Sequence, residues 1–155
     1  MIQRVQSIYL FIIVLLSTLF LSSPLLSFED AANNIYSIRF AALQKIGPEG
    51  GVEFIDNLPL PAIVVCLIII ISIGTIFLFR NRKWQMKFAA AIISLSAVLI
   101  LVTSWYIYDI SSEFNVVLHF RINLILPMLI LICSVLAYIG IRNDEKLIRS
   151  YERLR

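Results

Sequence analysis

Charge is what this chain has least of. Asp, Glu, Lys and Arg make up 15% of its 155 residues, against 60% hydrophobic residues, and the mean hydropathy is +0.92. A soluble domain usually carries about 25% charged residues. So few charges cannot cover a globule of this size, which excludes a free cytosolic domain. The composition also excludes intrinsic disorder and collagen, and two cysteines do not make a disulfide scaffold.

Catalytic and metal-binding signatures are missing as well. The sequence contains no G-x-S-x-G, H-E-x-x-H, Walker loop, G-x-G-x-x-G or EF-hand. Gly47-Pro48-Glu49-Gly50-Gly51 is a turn with no following helix N-terminus to bind phosphate. His119 is the single histidine, whereas a haem in a helical bundle commonly takes two axial ligands and zinc three or four. Cys66 and Cys133 stand alone, with no C-x-x-C, and read as small core residues rather than a redox pair. No cofactor is expected.

What is present is long apolar sequence. Val5–Phe28, Leu58–Phe79, Phe88–Tyr108 and Ile122–Ile141 contain no charged side chain. Each reaches the roughly 20 residues that cross a hydrocarbon core of about 30 Å. In lipid the backbone must satisfy its own polar groups, so each run is expected to be helical despite its β-branched residues. The expected fold is an all-α antiparallel four-helix transmembrane bundle. The first run is not expected to be a cleaved signal: it exceeds the usual h-region, lacks an A-x-A-like site, and runs through Ser22-Ser23 into Pro24.

Lys and Arg set the orientation. Arg4, the connection with Arg80, Arg82, Lys83 and Lys87, and the tail with Arg142, Lys146, Arg149, Arg153 and Arg155 all fall on one side. The connection 29–57 sets Arg39 and Lys45 against Glu29, Asp30, Glu49, Glu53 and Asp56. Both termini are therefore expected in the cytoplasm. Trp105, Tyr106 and Tyr108 would mark the outer boundary and Trp84 the inner one.

The outer loop 29–57 is expected to fold as a small hairpin, with Ile35–Phe40 and Val52–Ile55 as strands and Lys45–Gly51 as the turn. The tail 142–155 has helical spacing: Leu147, Tyr151 and Leu154 form an apolar stripe beside Lys146, Arg149 and Arg153. It either continues the fourth helix or lies along the surface as an amphipathic cytoplasmic helix. Arg80, Arg82, Lys83, Lys87, Lys146, Leu147, Arg149, Tyr151, Arg153 and Leu154 are the candidate contacts for anionic lipid or a protein partner. Nucleic acid would need a larger basic surface and aromatic platforms.

Asp109, Glu113, His119 and Arg121 share the third connection and form a candidate outer polar cluster. The ordinary alternative is solvated loop charge at the interface. No ionisable residue falls inside any of the four runs, which weighs against a proton-coupled pump. Asn123 is expected to cap the fourth helix ahead of Pro127. Ser94, Ser96, Thr103 and Ser104, with Ser72-Ile73-Gly74-Thr75, offer small surfaces for helix packing within the chain or in a homo-oligomer.

The opening Met1-Ile2-Gln3-Arg4-Val5-Gln6-Ser7-Ile8-Tyr9-Leu10, the central Asn81-Arg82-Lys83-Trp84-Gln85, and the ending Ile141-Arg142-Asn143-Asp144-Glu145-Lys146-Leu147-Ile148-Arg149-Ser150 with Arg153-Leu154-Arg155 resemble an uncharacterised family of four-span inner-membrane proteins of Bacteroidetes. The resemblance covers essentially the whole chain. It implies architecture and membrane and carries no activity. The expected role is that of a small non-enzymatic inner-membrane protein, an interaction or accessory component of the envelope. The alternative is an oligomeric carrier or channel for a small apolar or amphipathic solute, with Ser94, Thr103 and Asn123 lining a groove. An enzyme would need the outer polar cluster to converge.

Overall fold

A computed structural model describes residues 3–22, 26–29, 35–39, 42–46, 52–57, 59–78, 81–114, 117–119 and 122–153, with side-chain surroundings for 6–22, 59–78, 81, 84–109 and 124–146. The fold is dominated by four helices: α1 (Gln3–Ser22), α2 (Pro59–Phe77), α3 (Arg82–Phe114) and α4 (Leu126–Arg153). Three contain stretches long and apolar enough to cross a membrane: Pro59–Phe77, Trp84–Asp109 and Leu126–Lys146. In α1 the corresponding apolar stretch, Gln6–Ser22, is shorter.

The helix ends follow local chemistry. Helix α1 stops at Ser22, so the apolar run to Phe28 is not one helix, and Leu26–Glu29 is strand β1. Pro24 offers no N–H and disfavours helical backbone in the residue before it. Ser22 and Thr18 turn their hydroxyls onto the carbonyls of Thr18 and Leu15, both at 2.9 Å. Helix α2 opens on Pro59 and places Pro61 in its first turn, where missing N–H groups cost little. Helix α4 follows a 3-10 turn, Ile122–Ile125. Asn123 thus lies inside that turn rather than capping α4, and Pro127 occupies the first turn. Residues 142–153 of the tail continue α4 without a break and are not a separate surface helix.

Helix α1 packs against α2 and α4, and α3 packs against the same two, which leaves α2 and α4 on a diagonal. Neighbours run antiparallel. Gln6, near the start of α1, meets Asp144, late in α4. Gln85, at the start of α3, reaches Thr75, at the end of α2.

The buried positions obey one rule. They are Gln6, Leu10, Ile13, Ser17 and Phe20 in α1, and Pro61, Val65, Ile68, Ser72 and Thr75 in α2. Helix α3 contributes Gln85, Ala89, Ile92, Ser96, Leu99 and Thr103; α4 contributes Pro127, Ile130, Ser134, Ala137, Ile141 and Asp144. Apart from Leu126, buried beside Pro127 at the start of α4, every step along these series is three or four residues, in alternation. That 3.5-residue period is the seam of left-handed, knobs-into-holes helix packing. The opposite faces expose Phe11, Leu15, Ile70, Phe77, Leu101, Trp105 and Ile132. In water such surfaces would aggregate; against lipid tails they are the natural exterior.

A five-stranded antiparallel sheet, ordered β4-β3-β2-β1-β5, joins two connections of the helices. Strands β2 (Ile35–Arg39), β3 (Ala42–Ile46) and β4 (Val52–Asn57) follow β1, and β5 (Val117–His119) comes from the segment between α3 and α4. The expected hairpin of 35–40 with 52–55 does not form. Residues 42–46 lie between them, with β2 pairing β3 and β3 pairing β4. Lys45 and Ile46, expected in a turn, belong to strand β3, opposite Tyr36 and Ile35 of β2 and Glu53 and Val52 of β4. Strand β1 pairs β2 on one side and β5 on the other, with Ser27 opposite His119.

Candidate functional site

The polar interior of the molecule concentrates at one end of the seam. Each helix brings one polar residue to its buried stripe there: Gln6, Thr75, Gln85 and Asp144, none more than 6% exposed. The Gln6 amide Nε2 donates to Asp144 Oδ2. A carboxylate can only accept, which fixes the orientation of the amide. Gln85 Nε2 makes a long bond, 3.5 Å, to the Thr75 carbonyl, while Thr75 Oγ1 donates to the Ile71 carbonyl at 2.6 Å. These bonds tie α1 to α4 and α2 to α3. Buried polar groups left without partners are costly, so the pairing is what allows this layer to exist.

Higher in the seam the polar groups are hydroxyls. Ser96 and Ser134 face one another, Oγ to Oγ 3.4 Å, and each donates to a carbonyl of its own helix, Ile93 at 2.8 Å and Leu131 at 2.7 Å. Thr103 bonds the Leu99 carbonyl at 2.7 Å. Ser17 and Ser72 are fully buried, and their hydroxyls have no hydrogen-bond partner. Counted from the polar end, the fourth stripe position is serine in α1, α3 and α4. Small side chains there let helices approach closely.

Among the described residues, two clefts on the sides stand out. One, of about 400 Å³, lies beside the polar layer between α3 and α4, lined by Met86, Tyr138, Arg142, Glu145 and Lys146. The other, of about 340 Å³, lies near the opposite end, lined by Leu60, Leu101, Val102, Trp105 and Tyr106.

A family model matches residues 2–154. The chain belongs to this family, described as Domain of unknown function (DUF4293). No curated protein matches the chain. Membership agrees with the resemblance to an uncharacterised domain and brings no activity, so the reading of this DUF4293 chain rests on its geometry.

The expected outer polar cluster is spread over several elements. Asp109 is exposed and shares α3 with Glu113; His119 sits in β5, and Arg121 lies outside the described residues. The side chains of Glu113 and His119 are likewise not described. Among the described residues no three His, Cys, Asp or Glu side chains gather as a metal site. Of the basic collar, Lys87 is exposed with its ammonium 4.8 Å from the centre of the Trp84 ring, a cation–π contact. Lys146 is exposed in the α3–α4 cleft beside Arg142. Arg82, Lys83, Leu147, Arg149, Tyr151 and Arg153 lie in helical backbone without described side chains, and Arg80 and Leu154 lie outside the described residues.

Two expectations need correction. Ser94 and Thr103 do not share a groove: Ser94 is exposed and Thr103 buried, because nine residues at 100° per residue put them on opposite faces of α3. And the helical interior does contain an acid. Asp144 falls within the apolar stretch Leu126–Lys146 and is buried. The charge-free run ends at Ile141, while the buried stripe continues one more step to Asp144. The signal was in the spacing: Ile130, Ser134, Ala137, Ile141 and Asp144 keep the same alternation, as do Gln6 and Gln85 in their helices.

Proposed function

We propose that this chain is a four-span protein of the bacterial inner membrane, with both termini in the cytoplasm, and that it acts as a non-catalytic interaction component of the envelope. Helix α1, with 20 residues at about 1.5 Å each, has the length for the fourth crossing. The observation that carries the reading is the closed seam. Its middle positions are filled by Ile13, Ile68, Ile92, Ala137 and paired hydroxyls, all at or near zero exposure. A helical core sealed in this way leaves no lined path for a solute, so the work falls to the outward faces and the ends. The basic residues Arg82, Lys83, Lys87, Arg142 and Lys146 at the polar end support the cytoplasmic assignment.

Crosslinking in intact cells followed by mass spectrometry tests the role. Reproducible crosslinks to one envelope protein, through the sheet or the tail, are the expected result. Recovery of only abundant, non-specific neighbours counts against it. Reporter fusions at residue 81 and at either terminus should all report the cytoplasm; an exported terminus overturns the orientation.

A further inference from the structure

The basic residues at the polar end of α4 fall on one line. Arg142, Lys146, Arg149 and Arg153 follow one another at steps of four, three and four. At about 100° per residue these steps keep all four within about 60° of one another, over a length of roughly 16 Å. The line lies on the side of α4 away from the buried seam, whose last members are Ile141 and Asp144, and Arg142 and Lys146 are exposed. Glu145 and Glu152 fall about 70–90° to one side of it. Glu145 stands at i, i+4 to Arg149, a spacing whose surface ion pairs are weak and readily exchanged. Helix α4 also outruns its apolar stretch. That stretch, Leu126–Lys146, has 21 residues, enough to cross a core of about 30 Å. The helix continues unbroken to Arg153, about 10 Å past Lys146, whereas a headgroup layer is about 5–8 Å thick.

We infer that this line docks an acidic helix of a cytoplasmic protein. Charge complementarity sets the sign of the partner, and the geometry sets its form. Cations placed every turn along a straight line are matched by a second helix with Asp or Glu at the same steps of three and four. Three of the four cations are arginines, whose forked donors suit carboxylates. Arg82, Lys83 and Lys87 of α3, at the same end of the molecule, add to the positive field that draws such a partner in. A second copy of this chain brings the same cations and is repelled. Lipid headgroups serve Arg142 and Lys146 at the membrane boundary, but a helix that runs straight on carries the line beyond their layer to Arg153. The partner therefore engages the outer half of the line, Arg149 and Arg153.

This inference rests on the interaction role and orientation proposed above and names the chemistry of the partner. The test uses the full chain in nanodiscs of phosphatidylcholine, which carry no net charge. Three labelled peptides are titrated against it: a helix with Glu at steps of four, three and four, the same peptide with its glutamates redistributed around the helix, and a version with Lys at the Glu positions. The first should bind several-fold more tightly than the second, and the third should not bind. Arg149→Glu with Arg153→Glu, both beyond the apolar stretch, should reverse the preference toward the Lys peptide, a gain that misfolding cannot produce. Equal binding of the two Glu peptides overturns the inference, as does a preference that survives the double reversal. In intact cells, p-benzoylphenylalanine in place of Ser150, next to Arg149, should crosslink to an acidic helical segment, and the adduct should disappear with the double reversal. Adducts to lipid alone, or to a second copy, overturn the inference. Crosslinks through the sheet with none from residue 150 would leave the interaction role standing and refute only this docking site; no reproducible protein adduct from either place would refute both.

Discussion

Gln6 and Asp144 stand 138 positions apart in the sequence and meet as buried donor and acceptor, joining the first helix to the last. Removing only the donor leaves a buried carboxylate short of one partner, a change that costs about 1–3 kcal/mol. Gln6→Leu should therefore lower the unfolding midpoint in detergent. Replacing both residues with leucine should recover most of the loss, since paired removal of buried polar groups is often close to neutral. A double-mutant cycle measures the coupling. Additive effects would show that the two side chains do not support one another.

Gly140 and Gly74 should respond in opposite ways to alanine. A Cβ at Gly140 would sit 3.3 Å from Gln6 Cγ, whereas one at Gly74 meets nothing within 4 Å. Alanine raises helix propensity by about 1 kcal/mol over glycine. Gly74→Ala should hold or raise the midpoint of thermal unfolding. Gly140→Ala should lower it, because Gln6 is buried and tied to Asp144 and cannot swing aside freely.

The seam serines separate packing from hydrogen bonding. Ser17 and Ser72 are buried with unpartnered hydroxyls, so alanine there removes a polar group that gains nothing from its surroundings. Stability should stay level or rise by up to about 1 kcal/mol. Leucine at Ser17 should instead cost about 1–3 kcal/mol by overpacking a closed interior. Thermal unfolding of the two Ser17 variants decides whether size or polarity matters at that level.

Cys66 and Cys133 belong to α2 and α4, which lie across the diagonal, and both are free thiols. Cys66 is exposed and Cys133 half-buried. A membrane-permeant maleimide should label Cys66 faster. Mild oxidation should give no disulfide within one chain; an intramolecular crosslink would contradict the helix order.

The sequence made the helices easy to read and their register hard. Charge-free runs located α2, α3 and α4 because lipid demands both length and apolarity. Charge alone could not mark the ends. It overshot α1, which ends at Ser22, two residues before Pro24, and stopped α4 at Ile141, where polar residues begin although the helix runs on to Arg153. The buried stripe was legible only as a phase: Gln6, Gln85 and Asp144 look like boundary polarity until counted in steps of three and four from the aliphatic core. The sheet is hard to read in the sequence for a different reason. Alternation located β2 and β4, but the order of strands depends on partners far along the chain, such as β5, and no local pattern records them.

The 3.5-residue period also governs which changes of length the fold can absorb. One residue added between Ile92 and Ser96 would turn everything beyond it by about 100°, bringing lipid-facing Val98 and Leu101 toward the axis and sending Leu99 outward. A seven-residue addition would restore the phase while lengthening the helix by about 10 Å. Insertions and deletions among kindred chains should therefore collect in the strands and their connections, and the four helices should differ by substitution alone.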